Sequence, residues 1–416
     1  MKKLLTVTLF SGLLTLLRMA SGFVIAKVVA VYTGPSGIAM LGQVQSLITA
    51  LNGVVAAPAG NGVVRYTAQH HEAGPQACAP WWKAALNWIC LLMAVMIPVI
   101  CLCAQPLAIL VFGEARYFWL VIMAALALPF SAANILIASI LNGQQQYRRY
   151  VGLGIVSVLI ATVIMVVLVV RENLNGALIA AVLFSGISGL VMLLGVVRQP
   201  WCRLRFWWGR ASKAELRGIG TYVVMAVTTA LTMPMALLVV RNILVSKTGW
   251  EQAGQWQAVW KISEVYLGVI TMALSTYFLP KLVSLTGSDA ILKEIRSTAK
   301  IVMPIVALLA VGVYVLRDVA LTLLFTEAFR AARDLFAMQL VGDVLKILSF
   351  LYAYPMVSRG ATRWFMAAEV IFALLFIVLS YFLIGQYGAH GANAAYAVSY
   401  FCYLIFAWAN VRNFSR

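Results

Sequence analysis

Charged residues are scarce in this sequence, and acidic ones are the scarcest. The 416 residues include 13 Asp and Glu against 31 Lys and Arg, and all four types together make up 11% of the chain. A soluble protein of this length needs a larger charged surface. Hydrophobic residues make up 63% of the chain, and apolar runs of about 20 residues, enough for a membrane-spanning helix, recur along it. The composition therefore indicates a multi-pass membrane protein.

Patterns typical of several other classes are missing as well. The chain lacks the alternation of polar and apolar residues found in outer-membrane strands, so helices are expected to satisfy the backbone within lipid. Its six cysteines show no zinc or redox spacing, which predicts reduced thiols and no metal site. No Walker-type phosphate loop is present, which argues against direct use of ATP. We expect no cofactor.

Hydropathy predicts twelve transmembrane helices. The N-terminal stretch imitates a secretory signal, but Arg18 interrupts it and apolar sequence resumes as far as Val31, so we interpret it as an uncleaved first helix. The motif AAPAGNGV around Pro58 marks a possible local break in the second span. The predicted spans are 4–30, 37–64, 81–104, 117–141, 151–170, 177–197, 218–245, 254–280, 301–325, 335–356, 365–384 and 392–411.

The distribution of basic residues predicts the orientation in the membrane. With a cytoplasmic N-terminus, 20 of the 31 Lys and Arg fall in inside segments and six fall in outside segments. This bias follows the positive-inside rule and predicts that both termini are cytoplasmic. The net charge of +18 thus reflects topology. Because there is no soluble basic domain, it is not evidence for nucleic-acid binding.

The two halves of the chain look duplicated. Sliding one half by 214 residues places Lys27 on Arg241, and the GQVQ motif at Gly42–Gln45 echoes GQWQ at Gly254–Gln257. The predicted divisions are an N-terminal six-helix lobe at 1–197, a basic cytoplasmic linker at 198–217 and a C-terminal six-helix lobe at 218–416. We therefore predict an all-α membrane protein whose two lobes are related by a pseudo-two-fold axis along the membrane normal. The linker, rich in Trp and Arg, is interpreted as an amphipathic segment on the inner leaflet.

Eight charged side chains are counted as lying within the membrane, where each costs at least about 2.5–3.5 kcal/mol to insert. The bases are Arg18, Lys27, Arg241, Lys261 and Lys346, and the acids are Glu264, Asp343 and Glu369. Arg18 lies about 14 residues, or roughly 20 Å, into its helix. Neither Arg18 nor Arg241 has an acidic neighbour in sequence. Such groups usually face a wet cavity, so these two are the strongest candidates for function.

The remaining charges also have structural explanations. Lys27 lies near a helix end and could extend its ammonium to the interface, while Glu369 could be an interfacial charge. Nine residues separate Arg18 from Lys27, which places them on opposite helix faces unless the helix bends, for example at Gly22. Two acid–base pairs lie three residues apart and could neutralise each other: Lys261 with Glu264, and Asp343 with Lys346.

Four stretches carry a resemblance to a known family. They are VVAVYTGPSGIAMLGQVQSLI at 28–48, GWEQAGQWQAVWKISEVYLGVIT at 249–271, YFLPKL at 277–282 and FRAARDLFAMQLVGDVLKI at 329–347. The sequence resembles the multidrug/oligosaccharidyl-lipid/polysaccharide exporter superfamily, specifically the Wzx-type flippases of enterobacterial lipid III and O-antigen units. The likeness covers essentially the whole chain, and the Arg333–Lys346 stretch is its most specific part.

The resemblance implies a transporter that performs no chemical reaction. It would move undecaprenyl-diphosphate-linked oligosaccharide from the cytoplasmic to the periplasmic leaflet of the bacterial inner membrane, by alternating access through a cationic central cavity. Polymerase and chain-length proteins of the same pathway are possible partners. Lys27 matches a basic position late in the first helix, and Asp343 and Lys346 match the GDVLK element, whereas Arg18 rests on the burial argument alone.

This function assigns roles to the polar residues of the spans. The diphosphate would bind Arg18, Lys27, Arg241 and Lys261, since cationic donors can replace its hydration. Glu264 and Asp343 could take protons and couple transport to an ion gradient, or be static partners of Lys261 and Lys346. The candidate glycan contacts are Gln43, Gln45, Asn52, Asn61, Gln255, Trp256, Gln257 and Trp260.

Two other classes compete with this interpretation. A cation-coupled multidrug exporter of the same superfamily would favour an acid-lined cavity, whereas the intramembrane charges counted above are five bases and three acids. An integral-membrane glycosyltransferase or polymerase would need a sizeable periplasmic loop, and the predicted outside connections are only about 5 to 20 residues long. We expect no enzymatic activity.

Overall fold

The computed structural model describes residues 2–414 except Thr286, and the side chains of residues 2–11 and Met225 are not part of the description. The predicted cytoplasmic charges of Lys2, Lys3 and Arg416 therefore fall outside it. The helices are α1 Lys2–Val55, α2 Asn61–His70, α3 Pro75–Leu102, α4 Ala104–Phe112, α5 Phe118–Gly143, α6 Tyr147–Val196, α7 Lys213–Ala273, α8 Leu279–Ser284, α9 Ser288–Val315, α10 Arg317–Leu324, α11 Phe336–Ser358, α12 Thr362–Tyr387 and α13 Ala389–Phe414.

Three of these helices are each two helices joined at one left-handed residue. The backbone φ is +64° at Gly34 in α1, +50° at Asn173 in α6 and +86° at Gly249 in α7. Nine stretches of the described chain are long and apolar enough to cross a membrane. Dividing three of them at these residues yields twelve, and the described residues form no strand. The predicted all-α membrane fold with twelve helices is confirmed.

Helix boundaries follow local chemistry more closely than hydropathy. The break predicted near Pro58 is confirmed, because a short 3₁₀ turn at Ala57–Ala59 separates α1 from the polar helix α2. The helix α9, predicted to begin at 301, begins at Ser288. Its first turns are charged, but Ile291 and Ile295 lie on one face and are both buried. A hydropathy scan misses a helix that extends beyond the apolar span.

The chain divides into two compact units. The first comprises Met1–Tyr32 and Leu41–Pro234, and the second comprises Thr33–Met40 and Met235–Arg416. The helix α7 therefore changes unit at Pro234, and a short early segment belongs to the second unit. The division into lobes at 1–197 and 218–416 stays a prediction, because compact packing and internal duplication are different criteria.

The linker lies within the first unit and packs against α3 through its tryptophans. It forms two short 3₁₀ turns, Pro200–Cys202 and Leu204–Phe206. The rings of Trp201 and Trp207 lie 6.0 and 5.7 Å from that of Trp82, whose indole N–H donates to Thr67 Oγ1 at 2.9 Å. In contrast, Trp208 is 83% exposed. The linker thus packs the rings of Trp201 and Trp207 against Trp82 and leaves the ring of Trp208 exposed.

A close backbone approach within the second unit requires glycine. A Cβ added to Gly254 would overlap the carbonyl oxygen of Pro35. We therefore expect Gly254→Ala to lower the melting temperature in detergent by several degrees, because overpacking against backbone costs about 1–3 kcal/mol. Fluorescence-detected size exclusion after heating measures this effect.

The matched control is Gly312→Ala in α9. A Cβ at Gly312 meets no atom within 4 Å, and Ala is a better helix former by about 1 kcal/mol. We expect this variant to be as stable as the wild type or more so. Equal stability of both variants would contradict the close approach at Gly254.

Candidate functional site

Ionisable side chains of the second unit gather where three helices meet. The helix α7 beyond Gly249 packs with α11 and α13, and Gly342 permits the close approach of α11, since an added Cβ would overlap the ring of Tyr396. We call this group the polar cluster; its members are Arg241, Gln257, Lys261, Glu264, Tyr266, Asp343, Lys346 and Tyr396.

Asp343 is the most densely hydrogen-bonded member of the polar cluster. Its side chain is fully buried. The Tyr266 hydroxyl donates to Oδ2 at 2.5 Å, and the Tyr396 hydroxyl donates to Oδ1 at 3.0 Å. The Gln339 amide also donates to Oδ1, at 3.2 Å. The Ser263 side chain also hydrogen-bonds to this carboxylate. A carboxylate with four such donors ties α7, α11 and α13 together, because a buried polar group stays stable only when it is satisfied.

Lys346 lies among aromatic rings. Its Nζ is 6.0 Å from the ring centroid of Trp260, 5.8 Å from Phe350, 5.9 Å from Tyr396 and 5.4 Å from Tyr400. Within the described part of the chain, no ion pair within 4 Å joins it to Asp343, whose oxygens are occupied by hydroxyl and amide donors. The expected local pair is thus replaced by cation–π contacts and longer-range attraction.

The second acid–base pair of the sequence does form. Lys261 Nζ lies 3.6 Å from Glu264 Oε2, with both side chains partly exposed. The Trp260 indole N–H donates to Glu264 Oε1 at 3.0 Å. Glu264 also attracts Arg241 and Lys346 at longer range. It therefore compensates three basic groups of the polar cluster.

Arg241 is buried against a neutral amide. Only 1% of this residue is exposed. Its Nε and Nη2 donate to Gln257 Oε1 at 3.1 and 2.7 Å, and its guanidinium lies 5.9 Å from the Trp256 ring. The Gln257 amide accepts these hydrogen bonds without contributing a negative charge, and Glu264 attracts the guanidinium at longer range.

The predicted substrate residues differ widely in exposure. In the first unit, Arg18 is exposed and Lys27 is half-buried. Among the candidate glycan contacts, Asn61 is exposed, Gln45 and Asn52 are half-buried, and five are buried: Gln43, Gln255, Trp256, Gln257 and Trp260. Gln255, for example, donates to the Ala328 carbonyl oxygen at 2.7 Å. In this conformation the five buried residues contact protein, so contact with a glycan requires a rearrangement.

The tyrosines around Asp343 and Lys346 were not predicted. Tyr396, Tyr400 and Tyr403 recur at helical spacing in α13. The Tyr396 hydroxyl donates to Asp343, and the Tyr400 ring contacts Lys346. Their sequence signal was a row of hydroxyl-bearing rings on one face of an apolar helix. Tyrosine is also common in ordinary cores, so this pattern alone did not distinguish a site.

The ring of Tyr400 offers a test of the lysine environment. We expect Tyr400→Leu to destabilise the folded protein by about 1–2 kcal/mol, because it removes a cation–π contact and an aromatic pair. Tyr400→Phe keeps the ring and should lose little. Thermal unfolding in detergent measures both. Equal losses would show that the hydroxyl matters and the ring does not.

Comparisons with known proteins agree with this architecture. Over 401 residues the chain is 32% identical to the lipid III flippase of Escherichia coli (strain K12), and the match covers 95% of each chain. The lipid II flippase MurJ, in an inward closed conformation, superposes with a TM-score of 0.71 at 13% identity, covering 99% of this chain and 90% of that one.

An inward-facing multidrug resistance transporter of the MATE family superposes with a TM-score of 0.70, also at 13% identity, covering 95% of both chains. No family model matches the sequence. The fold is therefore that of the transporters of the multidrug/oligosaccharidyl-lipid/polysaccharide exporter superfamily.

Sequence identity over nearly the full length of the chain also shows the family to which it belongs. The chain belongs to the lipid III flippase family. It is a multi-pass membrane protein of a transporter family, and its relatives are not enzymes.

Proposed function

We propose that this protein is a flippase for undecaprenyl-diphosphate-linked oligosaccharide, either lipid III or an O-antigen unit. The observation that carries the proposal is the 32% identity to a lipid III flippase along 95% of the chain. The excess of bases over acids in the spans supports an anionic substrate. The protein would lie in the bacterial inner membrane with both termini cytoplasmic, where polymerase and chain-length proteins could act with it.

The physical problem for such a flippase is desolvation of the headgroup. A diphosphate and a glycan cannot enter hydrocarbon without losing strong hydration. Basic side chains replace water around the phosphates, and the candidates are Arg18, Lys27, Arg241 and Lys261. The prenyl chain can stay in lipid while the headgroup crosses. Turnover by alternating access also requires that the anion be released, so binding is expected to be only moderately tight.

Arg241 fits this role because two of its nitrogens donate to a neutral amide oxygen. Phosphate oxygens can replace Gln257 Oε1 as the acceptors, and this exchange leaves no carboxylate unpaired at Gln257. Lys261, by contrast, would first have to separate from Glu264. We therefore place Arg241 as the principal diphosphate contact of the second unit.

Complementation tests the function. Strains that lack either a lipid III flippase or an O-antigen flippase receive this gene, and the glycan that reaches the cell surface is measured. We expect restoration in one of them. Failure in both, together with efflux of a cationic dye, would favour the multidrug exporter instead.

A further inference from the structure

A cavity lined by uncharged and imidazole side chains lies in the first unit. Its volume is about 310 Å³, at the lower end of the range for small-molecule sites. Its walls come from the turn at His71–Gly74, the start of α3, the turn after α5 and the linker. Among the described residues that line it there is no Asp, Glu, Lys or Arg. This composition does not suit a phosphate or a metal ion.

We propose that this cavity binds one neutral sugar ring of the lipid-linked headgroup before translocation. The inference rests on the proposed function and on the predicted topology. All the segments that form the cavity fall in predicted cytoplasmic stretches. The cavity would therefore meet the headgroup on the side from which transport begins.

A chain of amides forms one wall of the cavity. Arg149 Nη1 donates to Gln146 Oε1 at 3.3 Å, and Gln146 Nε2 donates to Gln144 Oε1 at 2.9 Å. This leaves the Gln144 amide N–H groups without a partner in the described part of the chain. Since each donor polarises the next, the chain ends in strengthened N–H donors. Such groups suit the oxygens of a sugar.

The backbone fixes these amides at some cost. Gln145 has φ of +56°, and its neighbour Gln146 donates its backbone N–H to the Leu141 carbonyl oxygen at 2.8 Å. This is a Schellman cap, which normally has glycine at the left-handed position. A side chain there is unfavourable. The turn nevertheless presents Gln144 and Gln146 together at the cavity.

The linker forms the opposite wall. The amide of Gln199 has no hydrogen-bond partner among the described side chains. Trp201 is 3% exposed, and its indole N–H is buried without an acceptor in the same part of the chain. Trp201 is a lining residue of the cavity, but its indole N–H has no accessible surface, so the Gln199 amide is the hydrogen-bonding group that this wall offers.

His71 adds an imidazole nitrogen that can accept a hydrogen bond. Its Nδ1 lies 2.9 Å from the Ala68 carbonyl oxygen, which can only accept, so Nδ1 carries the proton. In the neutral ring Nε2 is then an acceptor. Amide donors, amide acceptors and an imidazole nitrogen together match the mixed donors and acceptors of a pyranose.

Binding to the purified protein in nanodiscs tests the proposal. The probes are the methyl glycosides of glucose, galactose and N-acetylglucosamine, with pyrophosphate as the anionic probe, and the readout is saturation-transfer NMR. We expect at least one glycoside to bind the wild type. Gln199→Leu and Gln144→Leu should each weaken that binding roughly tenfold. Gln69→Leu, an exposed change on α2, should not alter it.

Three outcomes would overturn the subsite: binding of no glycoside, equal binding by all variants, or binding of pyrophosphate that both cavity variants remove. Size exclusion verifies that each variant is folded. The assay uses no transport, so its result is independent of complementation. If the wild type restored no surface glycan, the flippase function would fail, and the glycoside titration would still decide the subsite.

Discussion

Arg241→Gln is expected to reduce delivery of surface glycan by roughly 100-fold in the complementation assay, with normal amounts of inserted protein. The guanidinium supplies charge-assisted hydrogen bonds of about 1.5–3 kcal/mol each to the diphosphate, and each 1.4 kcal/mol is a factor of ten. Glutamine at this position can still bond to the Gln257 amide, so the fold should persist.

Two controls separate charge from packing. Arg241→Lys keeps the charge but loses the two-pronged geometry, so an intermediate loss of roughly tenfold is expected. Arg116→Gln makes the same chemical change at an exposed residue that pairs locally with Glu114, and should be fully active. A fully active and normally inserted Arg241→Gln would remove Arg241 from the substrate path.

Asp343→Asn is expected to destabilise the protein by about 3 kcal/mol, with transport falling in proportion to the amount of folded protein. Four donors converge on the carboxylate, and an amide would turn an N–H₂ group toward at least one of them. It would also remove the negative charge nearest to Lys346, leaving a buried cation poorly compensated. Protein level and transport per folded molecule are the measurements.

A double variant sharpens this test. Lys346→Met removes the ammonium while keeping a flexible apolar side chain in the aromatic surroundings. Asp343→Asn combined with Lys346→Met should recover part of the lost stability, because the uncompensated charge is gone. If Asp343→Asn instead accumulates at the wild-type level and does not transport, the carboxylate takes part in ion coupling.

The number and order of the spans could be predicted because lipid imposes one dominant rule on length and polarity. The break at Asn173 lies between two predicted spans, whereas the early start of α9 at Ser288 could not be predicted, since it depends on packing outside the apolar span. A hydropathy scan detects only apolar runs. It therefore does not detect a charged helical extension that is stabilised by a single buried face.

Some residues of the candidate site could likewise be predicted from the sequence, and others could not. Charge in an apolar run identified Arg241, Asp343 and Lys346, because insertion cost is a property of single residues. The partners Tyr266 and Tyr396 come from other helices, so only the tertiary structure brings them to Asp343. Sequence spacing suggested a local ion pair for Lys346, and the neighbouring rings of α13 replace it.

The close approach of Pro35 to Gly254 has a consequence for biogenesis. Roughly 220 residues separate the two positions, and at about 5–20 residues per second their synthesis takes roughly 10–45 s. During that time the segment Thr33–Met40 is already made, while its neighbours in the second unit are still untranslated. This segment therefore remains without its final packing partners during that interval, and a ribosome that stalls before Gly254 would leave it exposed to membrane quality control.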